Sequence, residues 1–124
     1  MDARKAVETV LEAGWNRQDF EGIDEAMAES VELHVGRSTR TTSIEEMAAI
    51  VARWHERVAG FRFDIHSIVA SEGMAAARVV MRGRNPDDDR TVSVEHMFFF
   101  RFDNHRIVEV WELLDRPALE SQLG

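Results

Sequence analysis

The stretch Phe100–Asp115, which reads FRFDNHRIVEVWELLD, decides the fold of this chain. Hydrophobic residues alternate with polar ones on both sides of Asp103–His105, and such alternation is typical of strands that bury one face. Turn-forming residues separate the two alternating segments. We therefore predict a long β-hairpin, from about Val92 to Leu114, whose strands are joined by the three-residue loop Asp103–His105.

A three-residue loop fixes which side chains of the hairpin meet. Phe102 then pairs with Arg106, and counting outward places His96 directly opposite Glu112. We expect a concave face that lines a pocket and a convex face that contacts a second copy of the chain in a homodimer. The concave set is His96, Phe98, Phe100, Val108, Val110, Glu112 and Leu114, and the convex set is Met97, Phe99, Arg101, Ile107, Glu109, Trp111 and Leu113.

The residues before the hairpin contain most of the helical patterns. Apolar side chains at helical spacing predict one helix over Asp2–Asn16 and a second over Asp19–Met27. Alternation over Val31–Val35 predicts a short strand, and the polar segment Gly36–Thr42, which has no periodicity, predicts a loop. A third helix begins at the capping box Ser43–Glu46, where a serine and a glutamate can each accept from a backbone amide.

From Phe61 to Leu114 the period changes to two, which predicts four further strands separated by turns. Helices first and antiparallel hairpins afterwards define an α+β protein. We expect a single domain over residues 1–124, without linkers or repeats. Its three N-terminal-half helices would pack on a strongly bent, mixed or antiparallel sheet and form a cone-shaped barrel.

The composition disfavours several kinds of binding partner and cofactor. The chain has 124 residues, 44% of them hydrophobic, no cysteine and a net charge of −8. This charge disfavours nucleic acid as a partner, and no apolar run is long enough to cross a membrane. Phosphate-binding glycine loops and metal-binding motifs are absent, so we expect neither a cofactor nor a metal. The lack of cysteine is consistent with a cytoplasmic protein.

Three stretches together resemble the SnoaL-like branch of the nuclear transport factor 2 superfamily. They are Trp15–Phe20 (WNRQDF), Val31–Val35 (VELHV) and Phe100–Asp115. The third is the most specific, because the family often shows FRFxDGxIVExWDxxD there. The resemblance implies a conical barrel with an apolar pocket and, commonly, a homodimer. Members include polyketide cyclases, and relatives include steroid isomerases, epoxide hydrolases, dehydratases and proteins without known catalysis.

The resemblance also suggests catalytic residues. In similar cyclases an acidic residue at the position of Glu112, where aspartate is usual, serves as the acid/base. The family's partner position on the preceding strand holds Phe98, and here His96 lies two residues before it. A histidine beside a carboxylate suits general acid–base catalysis, although the same pair could only rigidify the sheet. His34 is a third candidate near the pocket mouth, where related isomerases keep a carboxylate base, or else an exposed strand histidine.

The leading hypothesis is a cofactor-independent acid/base enzyme, similar to a polyketide cyclase or isomerase, acting on a largely apolar, oxygenated small molecule. A non-catalytic ligand-binding or dimerisation module is the alternative. Epoxide hydrolysis or dehydration is a third option, and the absence of tyrosine disfavours the hydrolase. Arg37 and Arg40 could bind an anionic substrate group or be solvated. The residues expected to hold the substrate are Trp15, Trp54, Phe63, Met81, Phe98, Phe100 and Val110.

Overall fold

The computed structural model describes every residue from Met1 to Gly124. None of its helices has the length and apolar character that crossing a bilayer requires. The first helix, α1, covers Ala3–Glu8 and continues as a π-helix over Thr9–Asn16. The other elements in chain order are a 3-10 turn at Ile23–Glu25, β1 (Met27–Val35), β2 (Ser38–Ser43), α2 (Ile44–Arg57), β3 (Ala59–Ala70), β4 (Met74–Arg84), β5 (Thr91–Asp103), β6 (Arg106–Leu114) and α3 (Arg116–Leu123).

The six strands form one mixed sheet in the order β2-β1-β6-β5-β4-β3. Strands β1 and β6 are parallel, and every other neighbouring pair is antiparallel. The sheet is curled but keeps two free edges, β2 and β3, so it is not a closed barrel. Alternate residues of β5 are buried, which places one face of the sheet in the hydrophobic core and the other towards solvent. The predicted α+β fold is confirmed.

Helix α1 and the start of α2 match their predictions. The Asp2 carboxylate accepts from the Lys5 amide at 2.8 Å. At the second helix the Glu46 amide donates to Ser43 Oγ at 3.1 Å, and the Ser43 amide donates to the Glu46 carboxylate at 3.3 Å, which completes the capping box.

The prediction of a helix over Asp19–Met27 is wrong. Only the 3-10 turn forms there, and Met27 is already the first residue of β1. Gln18 and Gly22 have φ values of 53° and 76°, which interrupt right-handed helical backbone on either side of Phe20. The third helix of the fold is instead α3, after the last strand, which Asp115 caps by accepting from the Ala118 amide at 3.1 Å.

The loop expected over Gly36–Thr42 is also wrong, because Ser38–Ser43 pair with β1 as the edge strand β2. Its side chains are all polar, so alternation leaves no trace in the hydrophobic pattern. Only Thr42 is buried. A charged or polar edge strand also protects the sheet from pairing with another chain.

The hairpin of β5 and β6 differs from the predicted register in two ways, which together leave the cavity-facing side chains on the predicted face. The turn contains two residues, Asn104 and His105, with φ values of 51° and 66°, and Asp103 pairs with Arg106. The register then shifts between the Arg101 and Phe102 pairs, leaving Val108 without a partner.

Beyond this bulge every pairing is offset by two residues from the prediction. Glu112 therefore lies opposite Phe98, and His96 lies opposite Leu114, so the predicted direct pair of His96 and Glu112 is wrong. Since side chains alternate with a period of two, the offset keeps both residues on the concave face. Two residues leave their predicted faces. Ile107 is fully buried in the core instead of lying on the convex face, and the bulge residue Val108, predicted to be concave, neither packs on the core nor lines the cavity.

Candidate active site

A cavity of about 480 Å³ lies between the helices and the concave face of the sheet. Residues of the π-helix Thr9–Asn16, of α2 and α3, and of strands β1, β2, β5 and β6 line it, and 15 of the 22 lining residues are hydrophobic. Its size and apolar walls are those of a small-molecule site.

Five of the seven residues expected to hold a substrate line this cavity. They are Trp15, Trp54, Phe98, Phe100 and Val110. Phe63 and Met81 do not, because they lie on β3 and β4, in the part of the concave face outside the cavity. Phe63 supports the wall from behind, with its ring centroid 5.0 Å from that of Trp15 and 5.6 Å from that of Phe98.

Two polar side chains that are not among the candidate site residues, Asn16 and His55, hold the Trp15 end of the π-helix in place. The Asn16 amide donates to the Phe63 carbonyl at 2.9 Å and accepts from the Phe63 amide at 2.7 Å, as a neighbouring strand would. His55 Nε2 lies 2.6 Å from the Trp15 carbonyl and donates to it. Neither contact has a periodic signal in the sequence, since each joins segments at least 40 residues apart.

Glu112 is the one acidic residue among those that line the cavity, and it is only 9% exposed. It lies on β6 between Val110 and Leu114, which line the same wall. His96 Nδ1 lies 3.0 Å from Glu112 Oε2, so the structure brings the two predicted partners together along a diagonal of the sheet. No other side chain hydrogen-bonds to this carboxylate.

His96 itself does not line the cavity, and its side chain is 2% exposed. The rings of Phe63 and Phe98 lie 5.1 and 6.1 Å from its ring. Its Nε2 atom is buried without a hydrogen-bond partner. We assign the ring proton to Nδ1, where it is donated to Glu112, because an N–H at Nε2 would be buried against apolar groups without an acceptor. His96 can therefore act on a bound molecule only through Glu112.

His34 lies on the other face of the sheet, so of its two alternatives the pocket position is wrong and the outward-facing strand position is the one observed. Its neighbours Leu33 and Val35 line the cavity, and alternation turns His34 outward. Its ring stacks on Trp111 with centroids 4.9 Å apart. Its Nδ1 lies 2.9 Å from the Thr39 hydroxyl oxygen.

The convex face also carries the one cluster of side chains whose geometry resembles that of a cation site. One carboxylate oxygen each of Glu32 and Glu109 and one ring nitrogen of His34 lie within 4.8 Å of one another. Arg101 already donates to Glu109 at 2.8 Å, and His34 Nε2 lies 2.7 Å from the same carboxyl group. These two hydrogen bonds, with that of Arg101 the stronger influence, lower the pKa of Glu109 below its ordinary value.

A curled six-stranded sheet that encloses an apolar cavity with three helices defines the nuclear transport factor 2-like class of folds. Within this class, the sequence model described as SnoaL-like polyketide cyclase matches residues 5–123, and the chain belongs to this family. The resemblance of the three stretches quoted above is thereby confirmed.

Solved structures share this fold. IdmH from Streptomyces antibioticus superposes with a TM-score of 0.84 at 20% identity, covering 100% of this chain and 99% of the other. TsrD from Streptomyces laurentii gives 0.80 at 24% identity over 98% and 93% of the two chains. A SnoaL-like polyketide cyclase from Agrobacterium tumefaciens gives 0.79 at 22% identity over 100% and 99%. A search of the curated proteins finds no match to this sequence.

Proposed function

We propose that this protein is a cofactor-independent acid–base enzyme of the cyclase or isomerase type, acting on a largely apolar, oxygenated small molecule in the cavity. The observation that carries the proposal is the position of Glu112. It is the single acidic group in an apolar wall, and His96 holds it by a hydrogen bond of 3.0 Å.

Glu112 is the catalytic residue in this proposal. Its carboxylate removes a proton from a carbon next to a carbonyl. If the substrate has a β,γ double bond, the resulting dienolate takes the proton back at the γ-carbon and the double bond moves; otherwise the enolate carbon attacks a second carbonyl carbon. In the second case a carbon–carbon bond forms, and the carboxylic acid returns its proton to the new alkoxide oxygen. One group that takes and returns a proton is sufficient for both reactions.

His96 is a positioning residue. By donating Nδ1–H to one carboxylate oxygen it restricts rotation of the Glu112 side chain. The apolar walls formed by Trp15, Phe98 and Phe100 exclude water, which favours proton transfer to the bound molecule over exchange with solvent. Epoxide hydrolysis is less well supported, because it needs a water held beside the acid. The nearest cavity-facing hydroxyl on the paired strands is Ser38, two strands away and therefore about 10 Å from Glu112.

Proton removal can be tested before the natural substrate is known. Aromatic and alicyclic ketones that bind the protein are incubated with it in D₂O, and exchange of the hydrogens next to the carbonyl is followed by NMR. We expect exchange above the buffer rate, and a loss of at least about 100-fold in Glu112→Gln. Glu109→Gln, the same change on the convex face of the same strand, is the matched control and should keep the wild-type rate.

Two results would reject the enzyme assignment. One is exchange at the buffer rate with every ketone that binds, which would favour the non-catalytic binding module. The other is an equal rate in wild type and Glu112→Gln.

Two further predictions accompany this function. The convex face exposes Met97, Phe99 and Leu113, to 51%, 40% and 64% of their surface, and we retain it as the predicted homodimer interface. A cytoplasmic location likewise stays a prediction.

A further inference from the structure

Positive charge is concentrated around the cavity of a protein that is strongly negative as a whole. The chain has 23 acidic and 15 basic residues, yet three arginines and only one acidic residue line the cavity. The arginines come from three separate elements: Arg40 from β2, Arg57 from the end of α2 and Arg116 from the start of α3. Their convergence on one cavity is a feature of the tertiary fold.

None of these three arginines is neutralised by the protein. No carboxylate lies within 4.0 Å of their guanidinium nitrogens, whereas Arg78, Arg82 and Arg101 on the outer sheet face all pair with acidic side chains. The acidic residue next to Arg116 in sequence is Asp115, and its carboxylate instead accepts from a backbone amide of α3. The three guanidinium groups therefore keep their hydrogen-bond donors free for a ligand.

The three arginines and Glu112 lie at different depths in the cavity. All three arginines are exposed and so lie at the rim, while Glu112 is buried in the wall. The Arg57 guanidinium lies 5.1 Å from the ring centroid of Trp54, a lining residue, and this cation–π contact holds it at the rim. In β2, alternation directs Arg40 to the same side as its cross-strand neighbour Leu33, which also lines the cavity.

From this arrangement we infer that the ligand is amphiphilic: an apolar body fills the cavity, and a terminal anionic group, a carboxylate or a phosphate, binds at the rim to Arg40, Arg57 and Arg116. Arginine forks suit both kinds of anion. The Glu112 carboxylate repels the same group from the interior, so the ligand enters in one direction, with its uncharged end towards Glu112. The inference rests on the proposed function only in taking this cavity as the substrate site.

The test compares three probes with one apolar body: 2-naphthylacetate, its methyl ester and 2-naphthyl phosphate. Their dissociation constants are measured by calorimetry or NMR titration at low and high salt. We expect the carboxylate to bind about tenfold more tightly than the ester at low salt, and this preference to decrease as salt is added.

Single variants Arg40→Gln, Arg57→Gln and Arg116→Gln locate the anion site. Each should weaken binding of the carboxylate about fivefold or more, and should weaken binding of the ester much less. Retained ester binding also shows that the variant is folded. Arg37→Gln is the matched control, because Arg37 is an exposed arginine of the turn between β1 and β2 that does not line the cavity.

Tighter binding of the phosphate than of the carboxylate would support the rim site and identify phosphate as its anion. Equal affinities for the carboxylate and the ester would overturn the inference, as would an effect of Arg37→Gln equal to those of the rim variants. Failure of ketone exchange would leave these affinities unaffected, so this inference and the proposed enzymatic function fail separately.

Discussion

His96 and Glu112 are hydrogen-bonded at 3.0 Å although they are not cross-strand partners. Glu112 lies opposite Phe98, the position that holds the partner in the family pattern, and the imidazole reaches it along the diagonal from two residues away. Diagonal neighbours on one face of a sheet are within reach of long and aromatic side chains. The contact therefore joins two residues of the concave face that the register does not pair directly.

If His96 acts only by positioning Glu112, then an amide at the same place should replace it. We expect His96→Leu to lower the rate of ketone exchange by about 10- to 100-fold, and His96→Asn, which can still donate an N–H to the carboxylate, to recover a substantial part of the loss. The affinity for the ketone should be the same in both variants. Equal rates in the two would show that His96 contributes packing alone.

The contribution of Glu109 to the free energy of unfolding should decrease at acid pH. Hydrogen bonds from Arg101 and then His34 hold its pKa below the ordinary value of 4.5. A carboxyl with a lower pKa in the folded state stabilises the fold above the unfolded pKa, and this contribution is lost as pH falls below about 4.5 through the folded value.

Glu109→Gln should therefore be less stable than wild type at pH 7, and the difference should disappear as the pH is lowered below 4.5. Urea unfolding at pH 7, 5, 4 and 3 measures it. Glu56→Gln is a suitable control, because Glu56 is exposed and has no ion pair. A difference between Glu109→Gln and wild type that stays constant over this range would contradict the prediction.

Asn16 should contribute to stability out of proportion to its size. Its amide makes two hydrogen bonds with the backbone of Phe63, and Asn16→Ala would leave both backbone groups without these partners. We expect a decrease of about 2 kcal/mol in the free energy of unfolding. The neighbouring exposed Arg17→Ala should change it by less than about 0.5 kcal/mol. Equal effects of the two substitutions would show that the Asn16 contacts are not significant.

The homodimer prediction depends on the apolar part of the convex face. Leu113 is its most exposed member, and Leu113→Glu would place a charge in the interface. Light scattering should give the mass of a dimer for the wild type and of a monomer for this variant. Arg17→Glu, which places the same charge at an exposed position after the first helix and away from the convex face, should remain dimeric. A monomeric wild type would rule out the predicted interface.

The features that the sequence predicts are those specified locally. Long alternating segments indicate the central strands, and the caps at Asp2 and Ser43 mark the helix starts within one residue. Strand β2 escapes prediction because an edge strand with only polar side chains carries no hydrophobic period. The outward position of His34 is the alternative that alternation favours, since the apolar Val31, Leu33 and Val35 occupy the other side of its strand.

Other parts of the candidate site depend on tertiary structure and could not be inferred from local pattern. Arg40 was a candidate anion-binding residue, but Arg57 and Arg116 reach the cavity only because α2 and α3 end and begin at its rim. The pairing of Asn16 with Phe63 likewise joins segments with no sequence relationship. The bulge at Val108 changes the partner of every residue that follows it in β6.

This bulge has a consequence for how the hairpin tolerates changes in length. A turn one residue shorter than predicted would by itself rotate Glu112 to the solvent side and bring Trp111 into the cavity. The unpaired Val108 adds one residue to β6, so Glu112 still faces the cavity although the turn has one residue fewer than predicted. The length of the turn and the presence of the bulge are therefore coupled. A deletion in either one alone would turn the side chains of β6 to the opposite face, and only a compensating change in the other would keep them in place.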